Sequence, residues 1–257
     1  MKIAVTGKGG VGKTTFSAIL SKRYAQDGYN VLAVDADPDA NLALALGFPQ
    51  AKIEQITPIA ELKDLVKDRT KSTSDTFSTM FKMNPKVDDI PAKYATEHEG
   101  VKLLSLGNID SGGAGCICSE SALLKRLMSY MVTENKDVLI LDMEAGLEHL
   151  GRGTAEGVNA FIVVVEPGIR SIQTYHNVKK LAKDIGIEKV YVVANKVKTD
   201  RDKAYIQEHV GEACLGYISY SDQVAESDRE GKSPFDVGTT VAEISAIKEK
   251  IEGLVLS

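Results

Sequence analysis

The stretch KIAVTGKGGVGKTTFSAIL, residues 2–20, decides the fold. Lys2 to Thr6 is a short apolar run of strand type, and Phe16 to Leu20 reads as a helix. Between them Gly7, Gly12, Lys13 and Thr14 satisfy G-x-x-x-x-G-K-[ST] at every defined position, in the strand–loop–helix setting that a phosphate-binding loop requires. Glycine is needed there because the backbone of Gly7, Gly9, Gly10, Val11 and Gly12 must turn its N–H groups onto phosphate oxygens. The helix beginning near Thr14 and Thr15 adds the positive end of its dipole. Lys13 is placed to reach the β- and γ-phosphates, and the Thr14 hydroxyl to bind Mg²⁺. The stretch therefore predicts a nucleoside triphosphate site. It also holds a second lysine, Lys8, near the start of the loop.

Outward from this loop, apolar runs alternate with helical patterns, the signature of a parallel sheet covered on both faces. Strands are expected at Lys2–Thr6, Asn30–Asp35, Val101–Leu106, Asp137–Asp142, Ala160–Val165, Lys189–Asn195 and Cys214–Ser219. Helices are expected at Thr14–Asp27, Ser119–Thr133, Thr174–Ile185, Asp200–His209 and Val241–Leu254. No repeat, low-complexity tract or linker divides the 257 residues, so the expectation is one α/β domain, doubly wound, with a mainly parallel sheet of the P-loop NTPase type. Residues 50–100 pattern weakly: Pro58 to Asp68 looks helical, Lys71 to Lys93 reads as a surface excursion, and 50–100 and 107–118 are expected to be interface or surface excursions.

Composition narrows the partners. A net charge of −5 disfavours a chain that wraps nucleic acid electrostatically. No apolar run reaches the roughly 18 residues of a spanning helix, and the chain enters a strand at once without a leader pattern. Three cysteines make no disulfide framework, so a reducing cytoplasmic setting is expected.

In doubly wound sheets ligands bind beyond the carboxyl ends of the strands, where acidic clusters stand here. Asp142 ends the apolar run Val138–Leu141 and fits a carboxylate holding Mg²⁺ directly or through water; helix N-capping is the alternative. In Asp35–Asn41, Asp37 is the choice for orienting a water toward the γ-phosphate. Asp35 and Asp39 share Mg²⁺ waters, or Asp39 is simply solvated. Glu144, Glu148, His149 and Arg152 form either a nucleotide-sensing switch or the charged face of a short helix.

The segment Gly7–Thr14 resembles the deviant Walker A motif of the family containing MinD, ParA, the nitrogenase iron protein and the arsenite-pump ATPase. That resemblance implies a homodimeric ATPase in which Lys8 reaches across the interface to the partner's nucleotide, as an arginine finger does. It implies that Asp35–Asn41 is switch I, that Asp142–Gly146 is switch II, and that Asn195 reads adenine with Lys196 beside the base. The run DMEAGLEHLGRGT, residues 142–154, and the pair Cys116 and Cys118 further resemble the CooC-type ATPases, nickel-insertion factors of carbon monoxide dehydrogenase, and their acetyl-CoA synthase relative AcsF. The cofactors implied are ATP or ADP with Mg²⁺, and Ni²⁺ or Zn²⁺. The client implied is one of those two enzymes.

Cys116 and Cys118 precede a helix, whose N-terminus favours thiolates. Two thiolates leave a tetrahedral ion half-coordinated, and two-fold symmetry would complete a four-thiolate site suited to Zn²⁺ or Ni²⁺. The alternative is a pair of small buried hydrophobes; a disulfide across one residue would be strained. Cys214 reads as core, and His98, His149, His176 and His209 as surface or packing residues.

Two other functions share the loop. A MinD- or ParA-type positioning ATPase needs a basic amphipathic tail or DNA-binding patches. Here the stripe Val241, Ile244, Ile247, Ile251 and Leu254 is backed by the mixed charges Glu243, Lys248, Glu249, Lys250 and Glu252, which suits a helix packed on the core. An electron-transfer iron protein would hold a [4Fe–4S] cluster between subunits, on cysteines well separated in sequence in that group.

Overall fold

The computed structural model describes residues 1–37, 39–71, 84–107, 119–134, 138–144 and 157–255. Eight strands form one sheet in the order β3-β4-β2-β5-β1-β6-β7-β8. They are β1 Lys2–Thr6, β2 Val31–Ala36, β3 Thr96–His98, β4 Val101–Ser105, β5 Val138–Met143, β6 Ala160–Val165, β7 Val190–Val197 and β8 Cys214–Ser219. Every pairing is parallel except that of β3 with β4. The sheet is α/β and mostly parallel, as its apolar runs indicated.

Strands β2, β5 and β6 are buried at every position, which is why VLAVDA, VLILDM and AFIVVV read as nearly continuous apolar runs. Their side chains still alternate between faces. Ile3, Val5, Ile140, Ile162 and Val164 pack in one core cluster, and Ala4, Leu139, Leu141, Phe161 and Val163 in the other. The first helix, α1 (Lys13–Gln26), lies over the former cluster and is buried on most sides, with Phe16, Ile19, Leu20 and Tyr24 inaccessible to solvent. The Gly238–Val255 helix covers it from outside: Ile244, Ile247 and Ile251 are buried, with Val241 and Leu254 packed beside them. Its apolar stripe is thus spent on the core. Even Lys248 on its charged face is buried, bonded to Asp27 at 2.7 Å and Glu252 at 2.9 Å. No described helix is long and apolar enough to cross a membrane.

Several expectations are corrected. Strand β3 was not anticipated, because Thr-Glu-His carries no apolar alternation and pairs only at the sheet edge. Short helices at Leu42–Ala45, Gln50–Ile53, Ile90–Tyr94 and Asp222–Arg229 were also missed. The helix expected from Thr174 begins at Ile169, directly after Gly168. Pro58–Asp68 is not one helix but a 3-10 turn, Ile59–Glu61, then a helix, Lys63–Thr70, broken at Leu62. The surface reading of 71–93 fails at Val87 and Ile90, both of which are buried in the core. They are held there by Arg69, whose guanidinium grips the Asp89 carboxylate through two bonds of 2.9 and 2.7 Å. Residues 107–118, apart from Gly107, lie outside the described residues.

Candidate functional site

Strand β1 lies between β5 and β6, so the loop that leaves it opens at the middle of the sheet's carboxyl edge. Gly7, Gly10 and Gly12 all have positive φ, at 147°, 79° and 94°. At Gly7 an added Cβ would strike the Val164 carbonyl, and at Gly12 the Asn195 amide, so neither position admits a side chain. Gly12 also caps α1 without any side-chain hydrogen bond. The first N–H groups of that helix are left for an anion, which is what a phosphate site needs.

Around the loop stand the predicted carboxylates. Asp35 on β2 and Asp142 on β5 are register partners, and Val5 of β1 is Asp142's partner on the other side. Both acids are buried, at 2% and 1% exposure. Burial pushes the Asp35 carboxyl up to about 7, helped by the Asp142 charge and opposed by N–H bonds from Leu42 and Asp37 at 3.0 and 3.2 Å. Burial likewise raises Asp142 to about 6, against the Thr14 and Ser17 hydroxyls and the Lys13 charge. Ser17 Oγ donates to Asp142 Oδ1 at 3.0 Å, while Asp142 Oδ2 is buried without a hydrogen-bond partner. Asp37 Oδ2 lies 4.0 Å from Lys13 Nζ, and its Oδ1 accepts from the Asp39 N–H at 3.1 Å. Among the described residues, Lys8 makes no ion pair.

Near the end of β7, the Asn195 amide donates to the Val11 carbonyl at 2.8 Å and accepts from the Lys196 N–H at 2.8 Å. One amide hydrogen and one lone pair of Asn195 remain free for a base edge. A cleft of about 420 Å³ runs from the loop past Asn195 to Tyr220, Val224 and Pro234. Phosphate donors at one end and apolar walls at the other match a nucleotide.

The structure thus gathers Gly7–Thr15, Asp35, Asp37, Asp142, Asn195 and Lys196 at one edge. Glu144 adjoins them, its carbonyl accepting from Thr6 Oγ1 at 2.8 Å. Cys116, Cys118, Ala145, Gly146, Glu148, His149 and Arg152 lie outside the described residues. Among the described residues no group of three or more His, Cys, Asp or Glu could hold a metal. His98 and His209 stack on Phe48 and Tyr205, and Cys214 is half-buried, its thiol raised by burial. Sequence reasoning missed Ser17. Its spacing of three residues from Thr14, which places both on one helix face, was the signal available.

Such a site defines a P-loop nucleotide-binding protein, and the family model of the CobQ/CobB/MinD/ParA nucleotide binding domain matches residues 2–235. The chain belongs to that family of P-loop ATPases. It is 42% identical over 238 residues to the carbon monoxide dehydrogenase accessory protein CooC of Rhodospirillum rubrum, covering 92% of this chain and 90% of that one. An uncharacterized ATP-binding protein of Methanocaldococcus jannaschii is 41% identical over 235 residues, covering 90% of each. In fold the chain is similar to the septum site-determining protein MinD complexed with Mg-ADP from Pyrococcus horikoshii. The TM-score is 0.68 at 23% identity, over 98% of this chain and 96% of that one.

Proposed function

We propose that this chain is a Mg²⁺-dependent, dimeric ATPase that carries nickel, or zinc, on Cys116 and Cys118 of two subunits. It couples ATP binding and hydrolysis to nickel insertion into carbon monoxide dehydrogenase or acetyl-CoA synthase. The observation that carries this reading is the 42% identity to a carbon monoxide dehydrogenase accessory protein across 92% of the chain. The four-thiolate site follows from two-fold symmetry, since one C-x-C pair fills only half of a tetrahedral shell.

The residues at the sheet edge fit Mg²⁺. Thr14, Asp35 and Asp142 offer hard oxygen donors, and the buried Asp142 Oδ2 lacks any other partner. When bound there, Mg²⁺ would neutralise charge on the β- and γ-phosphates. Lys13 holds the same phosphates, and Asp37 orients the attacking water. As water oxygen bonds to the γ-phosphorus, the bond to the β–γ bridging oxygen breaks, giving ADP and phosphate. Lys8 of the second subunit supplies positive charge during that step, and Asn195 offers its remaining amide valences to adenine.

Metal and nucleotide then share one interface, so their affinities are linked. Titration of Ni²⁺ and of Zn²⁺ into the apo, ADP and non-hydrolysable ATP states tests this. Affinity or stoichiometry that changes with nucleotide is expected; identical isotherms in all three states would sink the coupling.

A further inference from the structure

The end of β7 is built around the phosphate loop in a way that base recognition does not explain. Lys196 has φ 58°, a left-handed conformation that a residue with a Cβ adopts only when its surroundings hold it there. The β7–β8 register is interrupted at the same place, between Ala194 and Val197. From this irregularity within the strand the Lys196 ammonium donates to the Gly10 carbonyl at 2.5 Å and lies 3.7 Å from Glu166 Oε2. Its neighbour Asn195 holds the next carbonyl, that of Val11, at 2.8 Å and ties itself to the Lys196 N–H. Gly12 has no room for a Cβ because the Asn195 amide occupies that space.

Two consecutive loop carbonyls are therefore gripped from one side. In a trans peptide the carbonyl and the following N–H point in opposite directions. Holding the Gly10 and Val11 carbonyls thus fixes the Val11 and Gly12 N–H groups. The Val11 N–H closes the turn onto the Lys8 carbonyl at 3.4 Å. The same grip prevents a peptide flip that would present a carbonyl oxygen to a phosphate.

We infer that Lys196, acting with Asn195, is a positioning residue that locks the phosphate loop in its binding shape. The inference rests on the phosphate-loop reading of residues 7–15. It places Lys196 in phosphate affinity and not in base selectivity.

The test compares the wild type with Lys196→Met and Lys196→Gly in full-length protein. Calorimetric affinities for ATP, ADP and GTP are measured alongside melting temperatures and steady-state ATP hydrolysis. Lys196→Gly removes the ammonium while relaxing the left-handed backbone, so it separates loss of function from loss of fold. Loss of a charge-assisted bond to the loop should weaken ATP and ADP alike by roughly tenfold in both variants. The ATP-to-GTP preference should stay within about twofold of the wild type, and KM should rise with kcat little changed. Unchanged ADP affinity in Lys196→Gly would overturn the inference, as would a collapsed ATP-to-GTP preference, which marks a base contact. A wild-type protein that binds no nucleotide would instead remove the phosphate-loop reading itself.

Discussion

Asp35 and Asp142 face each other as register partners at the carboxyl ends of adjacent parallel strands, both buried and both pushed toward neutral pH. Two carboxylates brought together out of water repel each other and resist ionisation, and a bound divalent cation would relieve both costs. Folded values of about 7 and about 6 stand above the ordinary unfolded carboxylate value near 3.9. The folded state then binds more protons than the unfolded one across that window. Its stabilising contribution is complete below about pH 4 and is lost as pH rises through 6 and 7. Metal-free, nucleotide-free protein should melt roughly 5 °C lower at pH 8 than at pH 5.5, and Mg-ADP should narrow the gap. Asp142→Asn should flatten the dependence. Melting that is flat or rising across this range in the wild type would show that the pair is not coupled as described.

Ser17 orients the acid that Thr14 also touches. Ser17→Ala should lower kcat by roughly tenfold, because Asp142 loses the donor that fixes one of its oxygens. ATP affinity should move by less than about twofold, since no phosphate contact is removed. A variant with normal kcat, or one that loses affinity alone, would leave Ser17 as a packing residue.

Lys8 has no ionic partner among the described residues of its own chain. Lys8→Ala should keep nucleotide binding but lose roughly 100-fold or more in hydrolysis, as expected for a cation supplied across an interface. Light scattering with a non-hydrolysable ATP analogue should show a dimer for the wild type and a monomer for the variant. Wild-type turnover in a monomeric variant would remove Lys8 from catalysis in trans.

Arg69 joins the Lys63–Thr70 helix to Asp89 and to the Lys86 carbonyl, and so pins Val87 and Ile90 to the core. The guanidinium beside it, with Lys93, holds the Asp89 carboxyl well below its ordinary range. That contribution is present above about pH 4 and lost as pH falls below it. Arg69→Met should cost about 2 kcal/mol at pH 7, read in denaturant melts, and the deficit should shrink in acid. A deficit that grows in acid would assign the effect to packing.

Much of this was legible in the sequence because the chemistry is local. A glycine loop between an apolar run and a helix can hardly be anything else, and Asp35 and Asp142 announce themselves as acids closing apolar strands. Ser17 offered only its spacing from Thr14 as a signal, and that spacing gains meaning only once β5 is placed beside α1. Val87 and Ile90 sit singly in a polar stretch, where periodicity has nothing to measure. Asn195 read as a base-recognising residue through the family resemblance, yet its bonds to the Val11 carbonyl and the Lys196 N–H accompany a register irregularity in β7 that no spacing records. Cys116 and Cys118 read as a ligand pair through the CooC-type resemblance together with their softness and proximity, and they lie outside the described residues.

The central claim is that two subunits share one metal on Cys116 and Cys118. Metal analysis combined with solution mass, for the wild type and Cys116→Ala/Cys118→Ala loaded with nickel or zinc, tests it most directly. One metal ion per dimer is expected in the wild type, with loss of most of it in the double variant. Equal metal content in both proteins would contradict the claim, as would a brown, iron-loaded wild type purified without oxygen.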